Sequence, residues 1–489
     1  MDHLPLPLLY HRRQWYLQGR RNALYCSVLF DKEKFSVAVV LLLGYDDVVR
    51  ISSYAPEGFI PLDNSAIIYP PTEARFNANT FRVSMDLNVR VEPFLLQQAL
   101  ESVLVRLPYF KVSLHEGFFW YFLSPSDAPV KLFPEQPFPC GRLNRKETNG
   151  YLFKVCYTDH RIALEFFHVL TDGTGGLMFL KLLVQRYLEL AGEPSMEFPD
   201  TFELSESPSA GEFSDPFQGW YDPDVPSSPA GKGAYHLRSK TALTEHVQVI
   251  SGRLSANAVK ELAHAYHATV TEFLAALLID SFQKIQRQNV PKRKKRKPIM
   301  LSVPVNLRKV FGESTMRNFT LFVTVGIEPA LGEFSFQEIV DIVHHQLKLK
   351  VDSKALVSQM KRNVGGERNC FMRFAPNFLK RPLFKLLSDS LGDNLYSSVI
   401  SNLGMVRVSD QLSRRIERCD FYLSPGKLNK LSCAVACCGD ELIINFTSFL
   451  EHDTSVERLF FTSLVQQGLY VQIQTNRTDC GRIAEKERS

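Results

Sequence analysis

The residues best suited to chemistry lie in one short segment, EFFHVLTDGTGG, which extends from Glu165 to Gly176. Imidazole is the usual general base near neutral pH because its unperturbed pKa is about 6.5, and His168 stands at the end of an apolar run. Asp172 follows, and three of the next four residues are glycines, whose missing Cβ atoms permit close approach of a substrate. The spacing alone leaves two interpretations open: a general base at a strand end, or a structural histidine beside a turn.

A histidine at a strand end can take a proton from a hydroxyl or an amine, and that acceptor can then attack an activated acyl group. Asp172 need not take part in this proton transfer. It can instead point away and pair with a buried arginine, which would fix the turn, and Arg308 at the end of VPVNLR is the candidate. Removing one partner of such a buried pair costs about 3 to 5 kcal/mol.

The surrounding pattern predicts a strand, a turn and a helix. Apolar residues favour a strand over 164–169, and helical spacing continues through LMFLKLLVQRYLELAG as far as Gly192. Further along, IMLSVPVNLR is typical of a buried strand that ends at Arg308. TEFLAALLIDSFQKIQRQ predicts a helix, with Thr271 placed to cap it.

A second copy of the strand, turn and helix pattern lies later in the chain. Residues 162–186 align without gaps on residues 443–467, and 6 of the 25 aligned residues are identical. His168 aligns with Phe449, so the second copy has a packing residue where the first has an imidazole. This difference predicts a structural repeat in which one lobe retains a catalytic side chain and the other retains only the fold.

The composition changes between about Pro199 and Ser239, where Pro, Gly, Ser and acidic residues dominate. We therefore place the main boundary there. The predicted organisation is an N-terminal extension over 1–60, a lobe carrying the histidine segment over 61–215, a linker over 216–240, a second lobe over 241–475 and a tail over 476–489.

The chain has 489 residues, of which 45% are hydrophobic, so it can bury a large core. Its nine cysteines show no CxxC pair and no metal-ligand spacing, so we expect neither a disulfide framework nor a metal site. No apolar run approaches the roughly 20 residues that span a bilayer, and none is followed by a signal cleavage site. These features favour a cytoplasmic protein without a membrane span.

A single basic run, KRKKRK at residues 292–297, supplies six positive charges and accounts for the net charge of +5. Such a block is usually a solvated loop, and an anionic ligand or an acidic carrier protein is the next alternative. It has no interleaved aromatic residues and no groove-reading helix pattern, so we expect no nucleic-acid binding.

These residues together resemble the HxxxDG acyltransferase superfamily, which includes chloramphenicol acetyltransferase, the condensation domains of nonribosomal peptide synthetases and the alcohol acetyltransferases. The full HxxxDG string runs from His168 to Gly173, VPVNLRKVFG follows the crossover, and SNLG stands at Ser401 to Gly404. The likeness covers about residues 60–475 and is closest to the bacterial alcohol acetyltransferase-like branch.

The resemblance implies an α/β fold of two chloramphenicol-acetyltransferase-like lobes, each a mixed sheet with flanking helices, and an active-site tunnel at their junction. It assigns catalytic roles to His168 as the general base and to Asp172, whose salt bridge with Arg308 orients the site. Gly173 would form a wall of the tunnel. The substrate-binding residues would be Ser401 and Asn402, and the phosphates of CoA would contact Lys292, Arg293 and Lys294.

Two departures from the family pattern are visible. Many relatives carry HHxxxDG, and here Phe167 replaces the first histidine. Since the second histidine is the base, we expect activity to survive this change. The DFGWG string of the plant branch is absent, which argues against membership of that branch.

The leading hypothesis is an acyl-CoA-dependent O-acyltransferase that transfers acetyl to an alcohol, with acyl-CoA as co-substrate and no bound cofactor. An amine acceptor is the variant of this hypothesis, and the chain is expected to act as a monomer. The alternative keeps the chemistry but takes the acyl group from an acyl carrier protein, as condensation and tailoring enzymes do. A third hypothesis is a non-catalytic binding protein on the same scaffold.

Overall fold

The structure is a computed structural model that describes residues 58–193, 198–228, 231–369, 372, 374–387 and 392–477. The predicted extension over 1–60 and the predicted tail over 476–489 lie almost wholly outside these residues. Three of the nine cysteines, Cys26, Cys370 and Cys480, are also outside them. The other six are free thiols within the described residues.

The first sheet has five strands in the order β12-β2-β7-β6-β5. Its strands are β2 Thr80–Leu87, β5 Leu132–Pro134, β6 Phe153–Tyr157, β7 Arg161–Phe167 and β12 Ile416–Leu423. Only the β5 and β6 pair is parallel. This sheet therefore has the mixed character that the resemblance implied.

The second sheet has seven strands in the order β10-β9-β11-β13-β14-β8-β15. Its strands are β8 Gln248–Ser255, β9 Ile299–Asn306, β10 Thr320–Ile327, β11 Ser398–Val406, β13 Leu431–Cys438, β14 Glu441–Ser448 and β15 Gln472–Thr475. β11 is parallel to both of its neighbours, and the other pairs are antiparallel. A small third sheet joins β1 Ile60–Pro61, β4 Tyr121–Pro125 and β3 Val112–Glu116.

Helices cover the two large sheets. They are α1 Tyr69–Thr72, α2 Pro93–Arg106, α3 Gly173–Leu190, α4 Ala256–Ala265, α5 Val270–Asn289, α6 Arg308–Phe311, α7 Phe336–Lys350, α8 Ser353–Arg368, α9 Asn377–Leu387, α10 Asp410–Ser413 and α11 Ser455–Gln466. α2 and α3 pack with the five-stranded sheet around one hydrophobic core, and α5, α7 and α11 pack with the seven-stranded sheet around another. Two lobes, each a mixed sheet with flanking helices, confirm the predicted fold class.

One strand crosses between the two halves of the sequence. β12 follows the seven-stranded sheet's β11 along the chain, yet it pairs antiparallel with β2, with Phe81 opposite Leu423. The five-stranded sheet is thus completed by a strand from the second half of the chain. The predicted ranges 61–215 and 241–475 stay a prediction, but sheet membership does not follow them at this strand.

Local expectations were mostly confirmed. Both copies of the repeat are strand, turn and helix: β7 leads into α3, and β14 leads into α11. The predicted cap of α5, Thr271, is wrong, because Thr269 is the N-cap. The Thr269 hydroxyl accepts from the backbone N–H of Glu272, and the Glu272 carboxylate accepts from the backbone N–H of Thr269. The pattern S/T-x-x-E starts at Thr269 and not at Thr271, so the capping box was the stronger signal.

Within the described ranges, no single helix has the length and hydropathy needed to cross a bilayer. α4 and α5 reach that apolar length only as a joined pair, and they are bent by 77° with respect to each other. No group of three or more His, Cys, Asp or Glu side chains in the same part of the chain is arranged to hold a metal ion.

Candidate functional site

His168 lies directly after the last residue of β7, and its backbone N–H donates to the carbonyl of Asn79 at 2.9 Å. Successive side chains of a strand point to opposite faces. Phe167 accordingly points away from His168, is 1% exposed, and packs beneath the guanidinium of Arg145, 5.0 Å from its ring centroid. Position 167, where the family that the sequence resembles often has a histidine, is therefore a core position here.

The imidazole of His168 is half-buried between two aromatic rings. It stacks on Tyr69 with centroids 4.7 Å apart and meets the edge of Phe81 at 5.2 Å. Burial lowers the pKa of His168 below its usual value, although the charge of Asp172 and a hydrogen bond with Asn318 act in the opposite direction. The imidazole is therefore neutral at pH 7.

The side chain of Asn318 connects His168 to a buried carboxylate. His168 Nδ1 is 2.9 Å from Asn318 Oδ1, and Asn318 Nδ2 donates to Asp63 Oδ2 at 3.0 Å. Both Asp63 and Asn318 are almost fully buried. Asp63 Oδ2 also lies 3.5 Å from Nε of Arg317, another buried side chain.

Asp172 is the N-cap of α3 and also the anchor of the turn. Its Oδ1 accepts from the backbone N–H groups of Thr174 and Gly175, at 3.2 and 3.1 Å. Its Oδ2 accepts from the second lobe: from Nη1 of Arg308 at 2.8 Å, the backbone N–H of Phe319 at 2.9 Å and the hydroxyl of Thr320 at 2.9 Å. The predicted pairing of Asp172 with Arg308 is therefore present, and it joins the two sheets.

The electrostatics of this pair follow from its partners. Burial alone would raise the pKa of Asp172, but the charge of Arg308 and the hydrogen-bond donors outweigh burial and hold the pKa below its usual value. The carboxylate is ionised at neutral pH and all its hydrogen bonds are used for structure. Asp172 is therefore an ionised structural anchor of the turn, and its role in any reaction stays a prediction.

Arg308 is fixed by more than the carboxylate. Its Nε donates to the carbonyl of Thr315 at 2.6 Å, and its Nη2 donates to the carbonyl of Arg317. These bonds hold the loop between β9 and β10 around the guanidinium. Asn318, which lies near the end of this loop, is thereby placed at the first lobe's histidine.

The glycines of the DGTGG turn answer different requirements. A Cβ on Gly173 would lie 3.0 Å from Leu403 and 3.3 Å from Phe421, so the turn sits tightly against strands β11 and β12. A Cβ on Gly175 would lie 2.1 Å from the Thr171 hydroxyl and 2.6 Å from the carbonyl of Met316. Gly175 is therefore required by the close approach of the β9 to β10 loop, whereas Gly173 faces side chains that are able to move.

The SNLG segment lies beside the turn, because Leu403 contacts Gly173. Asn402 makes bonds to its own lobe: its Nδ2 donates to the hydroxyl of Thr271 at 3.0 Å, and its Oδ1 accepts from the N–H of Gly404 at 2.8 Å. Ser401 is buried in β11. The structure brings this segment to the site, and a contact of Ser401 or Asn402 with substrate stays a prediction.

The basic loop is not brought to the same place. Lys292, Arg293 and Lys294 are exposed and precede β9, whereas Arg308 follows it. Eight extended residues, Ile299–Asn306, span about 23 Å. The loop therefore lies at the far end of β9 from His168.

Sequence reasoning missed Asn318, Asp63 and Thr320. Asn318 is 150 positions from His168 along the chain, and no local pattern connects them. The string RNFT follows the predicted site arginine closely in sequence, and that proximity was the available signal.

No protein-family model matches the chain, and no curated protein matches it. Solved structures do match over most of the chain. The structure of F. graminearum TRI101 complexed with coenzyme A and deoxynivalenol has a TM-score of 0.55 at 11% identity, covering 85% of this chain and 99% of that one. The starter condensation domain of rhizomide synthetase, in complex with C8-CoA and Leu-SNAC, has a TM-score of 0.51 at 13% identity, covering 86% and 96%.

A third similar structure is the trichothecene 15-O-acetyltransferase TRI3 from Fusarium sporotrichioides, with a TM-score of 0.51 at 10% identity, covering 83% of this chain and 93% of that one. Identities this low show the fold and leave the activity to be argued from the site. The chain has the two-lobed, chloramphenicol acetyltransferase-like fold that condensation domains share with TRI101 and TRI3.

Proposed function

We propose that this chain is an acyltransferase that moves an acyl group, acetyl in the simplest case, from a CoA thioester to an alcohol hydroxyl, with His168 as the general base. Nε2 of His168 would take the proton of the hydroxyl while the oxygen attacks the thioester carbonyl carbon. When the tetrahedral intermediate collapses, the C–S bond breaks and the sulfur leaves with the proton held by His168.

The unequal use of hydrogen bonds by His168 and Asp172 carries the proposal. Every oxygen of the Asp172 carboxylate is bonded to the turn or to the second lobe. Nε2 of His168 has no hydrogen-bond partner among the residues that the structure describes, and the ring is neutral because burial lowers its pKa. A neutral imidazole with a free nitrogen at the junction of two lobes fits a general base.

The donor and the acceptor are supported by what similar folds bind. The TRI101 structure holds coenzyme A, the rhizomide condensation domain holds C8-CoA, and TRI3 is an O-acetyltransferase. Since Lys292, Arg293 and Lys294 are far from the reacting histidine, we assign them to the nucleotide end of CoA. That end is separated from the thioester by the pantetheine arm.

The test is thiol release from acetyl-CoA by the purified chain in the presence of a panel of alcohols and amines. His168→Ala is expected to abolish release above the uncatalysed rate, and the matched control His345→Ala, at an exposed position of α7, to leave it unchanged. Equal release by His168→Ala and the unaltered chain would remove His168 as the base. Ligand binding without release would favour a non-catalytic binding protein.

The donor is tested separately by comparing acetyl-CoA with acetyl-pantetheine and with an acyl-loaded carrier protein. Neutralising Lys292, Arg293 and Lys294 to glutamine is expected to raise KM for acetyl-CoA and to leave KM for acetyl-pantetheine unchanged, because only CoA carries the nucleotide phosphates. Turnover with the carrier protein alone would make the donor assignment wrong and the condensation-like alternative right.

A further inference from the structure

We propose that Asp63 and Asn318 are positioning residues for His168, and that together they select the imidazole tautomer whose Nε2 is free to accept a proton. The inference rests on the proposed function, because it presumes that His168 is the base. It goes beyond that function by assigning a role to two residues outside the HxxxDG string.

The hydrogen-bond chain has one consistent direction when the Asp63 carboxylate is ionised. Asp63 Oδ1 accepts from the backbone N–H of Ala66 at 2.8 Å, and Oδ2 lies 3.0 Å from Asn318 Nδ2 and 3.5 Å from Nε of Arg317. Burial raises the pKa of Asp63, and the charge of Arg317 and the hydrogen bonds from Asn318 and Ala66 oppose that rise. In its ionised form the carboxylate only accepts, so the amide turns its NH2 group toward Asp63. The amide oxygen of Asn318 then faces His168.

The orientation of the amide favours one tautomer, beside a hydrogen bond between the ring and the backbone of His168 itself. An amide oxygen also only accepts, so the nitrogen 2.9 Å from it, Nδ1 of His168, must carry the hydrogen of the neutral ring. The lone pair is then on Nε2. A flipped amide would present its NH2 group to Nδ1, place the hydrogen on Nε2 and leave no base facing an acceptor.

An amide between carboxylate and imidazole has a further effect. A carboxylate in direct contact would raise the pKa of His168 by stabilising its charged form. The neutral amide transmits the direction of the hydrogen bond without placing that charge on the ring. The imidazole is thereby oriented while its pKa stays below the usual value, where it is unprotonated at neutral pH.

The rigidity of the arrangement comes from its burial. Asp63 is 0% exposed and Asn318 is 1% exposed. Asp63 lies just before α1, whose Tyr69 stacks on the same imidazole. Two separate segments of the chain, residues 63–69 and the loop that carries Asn318, therefore hold one ring. Such preorganisation keeps a base correctly positioned for its substrate.

The direct test is nitrogen NMR of the full chain with only its histidines labelled with ¹⁵N. The His168 resonances are identified by their loss in His168→Gln. We expect the unaltered chain to show a hydrogen on Nδ1 and an unprotonated Nε2. A hydrogen on Nε2 would overturn the proposal whatever the variants do.

Two variants extend the test. Asn318→Leu removes the acceptor at similar size, and Asp63→Asn replaces the fixed acceptor by an amide that permits Asn318 to flip. Each is expected to lower kcat about 10- to 100-fold with KM for acetyl-CoA unchanged, the usual size of such orienting effects. The control is Asp453→Asn, the carboxyl of the second copy, which bonds Ser239 and Ser455 but not Asn318.

The pH profile separates positioning from a merely structural role. The bond to Asn318 raises the pKa of His168, so losing it in Asn318→Leu lowers that pKa and moves the acid limb of kcat to lower pH. If Asn318→Leu lowers kcat but leaves both the acid limb of the pH profile and the His168 tautomer unchanged, then Asn318 only supports packing. Full activity of His168→Ala would instead defeat the proposed function, while the tautomer measurement would still stand by itself.

Discussion

The two copies of the strand, turn and helix differ in what their turns are bonded to. In the first copy, Asp172 caps α3 and reaches across to Arg308 of the other lobe. In the second, the aligned Asp453 stands one residue before Thr454, the N-cap of α11; it accepts from the N–H of Ser455 at 2.9 Å, and its other oxygen accepts from a serine hydroxyl. The aligned aspartates thus both bond the first turn of a helix, and only the one in the first copy joins the two lobes.

The strand ends differ in the same way. Phe449 is 2% exposed and packs at right angles on Phe76, whereas the aligned His168 is half-buried with a nitrogen left free. The second copy shows what the first would be if it served only to fill space. The comparison teaches that a few polar substitutions distinguish two turns that share the order strand, turn and helix, and these substitutions are the ones to which the proposed function assigns chemistry.

The strongest way to break this comparison is to make the first copy resemble the second. His168→Phe is expected to lower acyl transfer by about 10²- to 10⁴-fold, the contribution of a general base. Thiol release measures the loss, and far-UV circular dichroism checks that the fold is retained. The reciprocal Phe449→His is expected to leave transfer unchanged and to lower the melting temperature, because it buries an imidazole in an apolar cluster.

A second comparison sets the two aspartates against each other. Asp172→Ala leaves the buried Arg308 unpaired, so we expect it to lower the free energy of unfolding by about 3 to 5 kcal/mol. Asp453→Ala removes hydrogen bonds to Ser455 and Ser239 without leaving a buried cation unpaired, and about 1 kcal/mol is expected. Urea denaturation of the two variants measures both values, and equal losses would show that the interlobe ion pair adds nothing.

The glycines of the first turn provide a third comparison, since Val456 of the second copy aligns with Gly175. Gly175→Ala pushes a methyl group into the Met316 carbonyl and is expected to cost about 1 to 3 kcal/mol. Gly141→Ala, where the added atom meets nothing within 4 Å, is the control. If both variants unfold at the same urea concentration, the close approach to the β9 to β10 loop does not constrain the turn.

The smallest expected effect is the change of kcat with pH, which depends on His168 and therefore only on the first copy. Because the pKa of His168 is below 6.5, the base is already unprotonated at pH 7, and kcat is expected to change less than about twofold between pH 7 and pH 8. At lower pH, kcat should fall as the imidazole takes up a proton. A pH profile of kcat with saturating acetyl-CoA measures this, and a tenfold rise above pH 7 would contradict the assigned pKa direction.

The site residues that could be predicted from the sequence are those that lie in local patterns. His168, Asp172 and Gly173 form one motif, VPVNLR placed Arg308 at a strand end, and their pairing followed from the need to neutralise a buried carboxylate. Asn318 and Asp63 were beyond this reasoning, because their contact with the histidine depends on how two sheets meet. The function of the basic run stays a prediction, since a charged surface loop is compatible with several ligands.

The strand β12 has a consequence for how the chain is made. Phe81 of β2 pairs with Leu423, which is synthesised roughly 340 residues later. At about 5 to 20 residues per second, the edge of β2 stays unpaired for about 17 to 70 seconds of synthesis. An apolar strand edge left open that long invites pairing with other nascent chains, so slower translation or missing chaperones should reduce the yield of folded protein before any effect on the finished site appears.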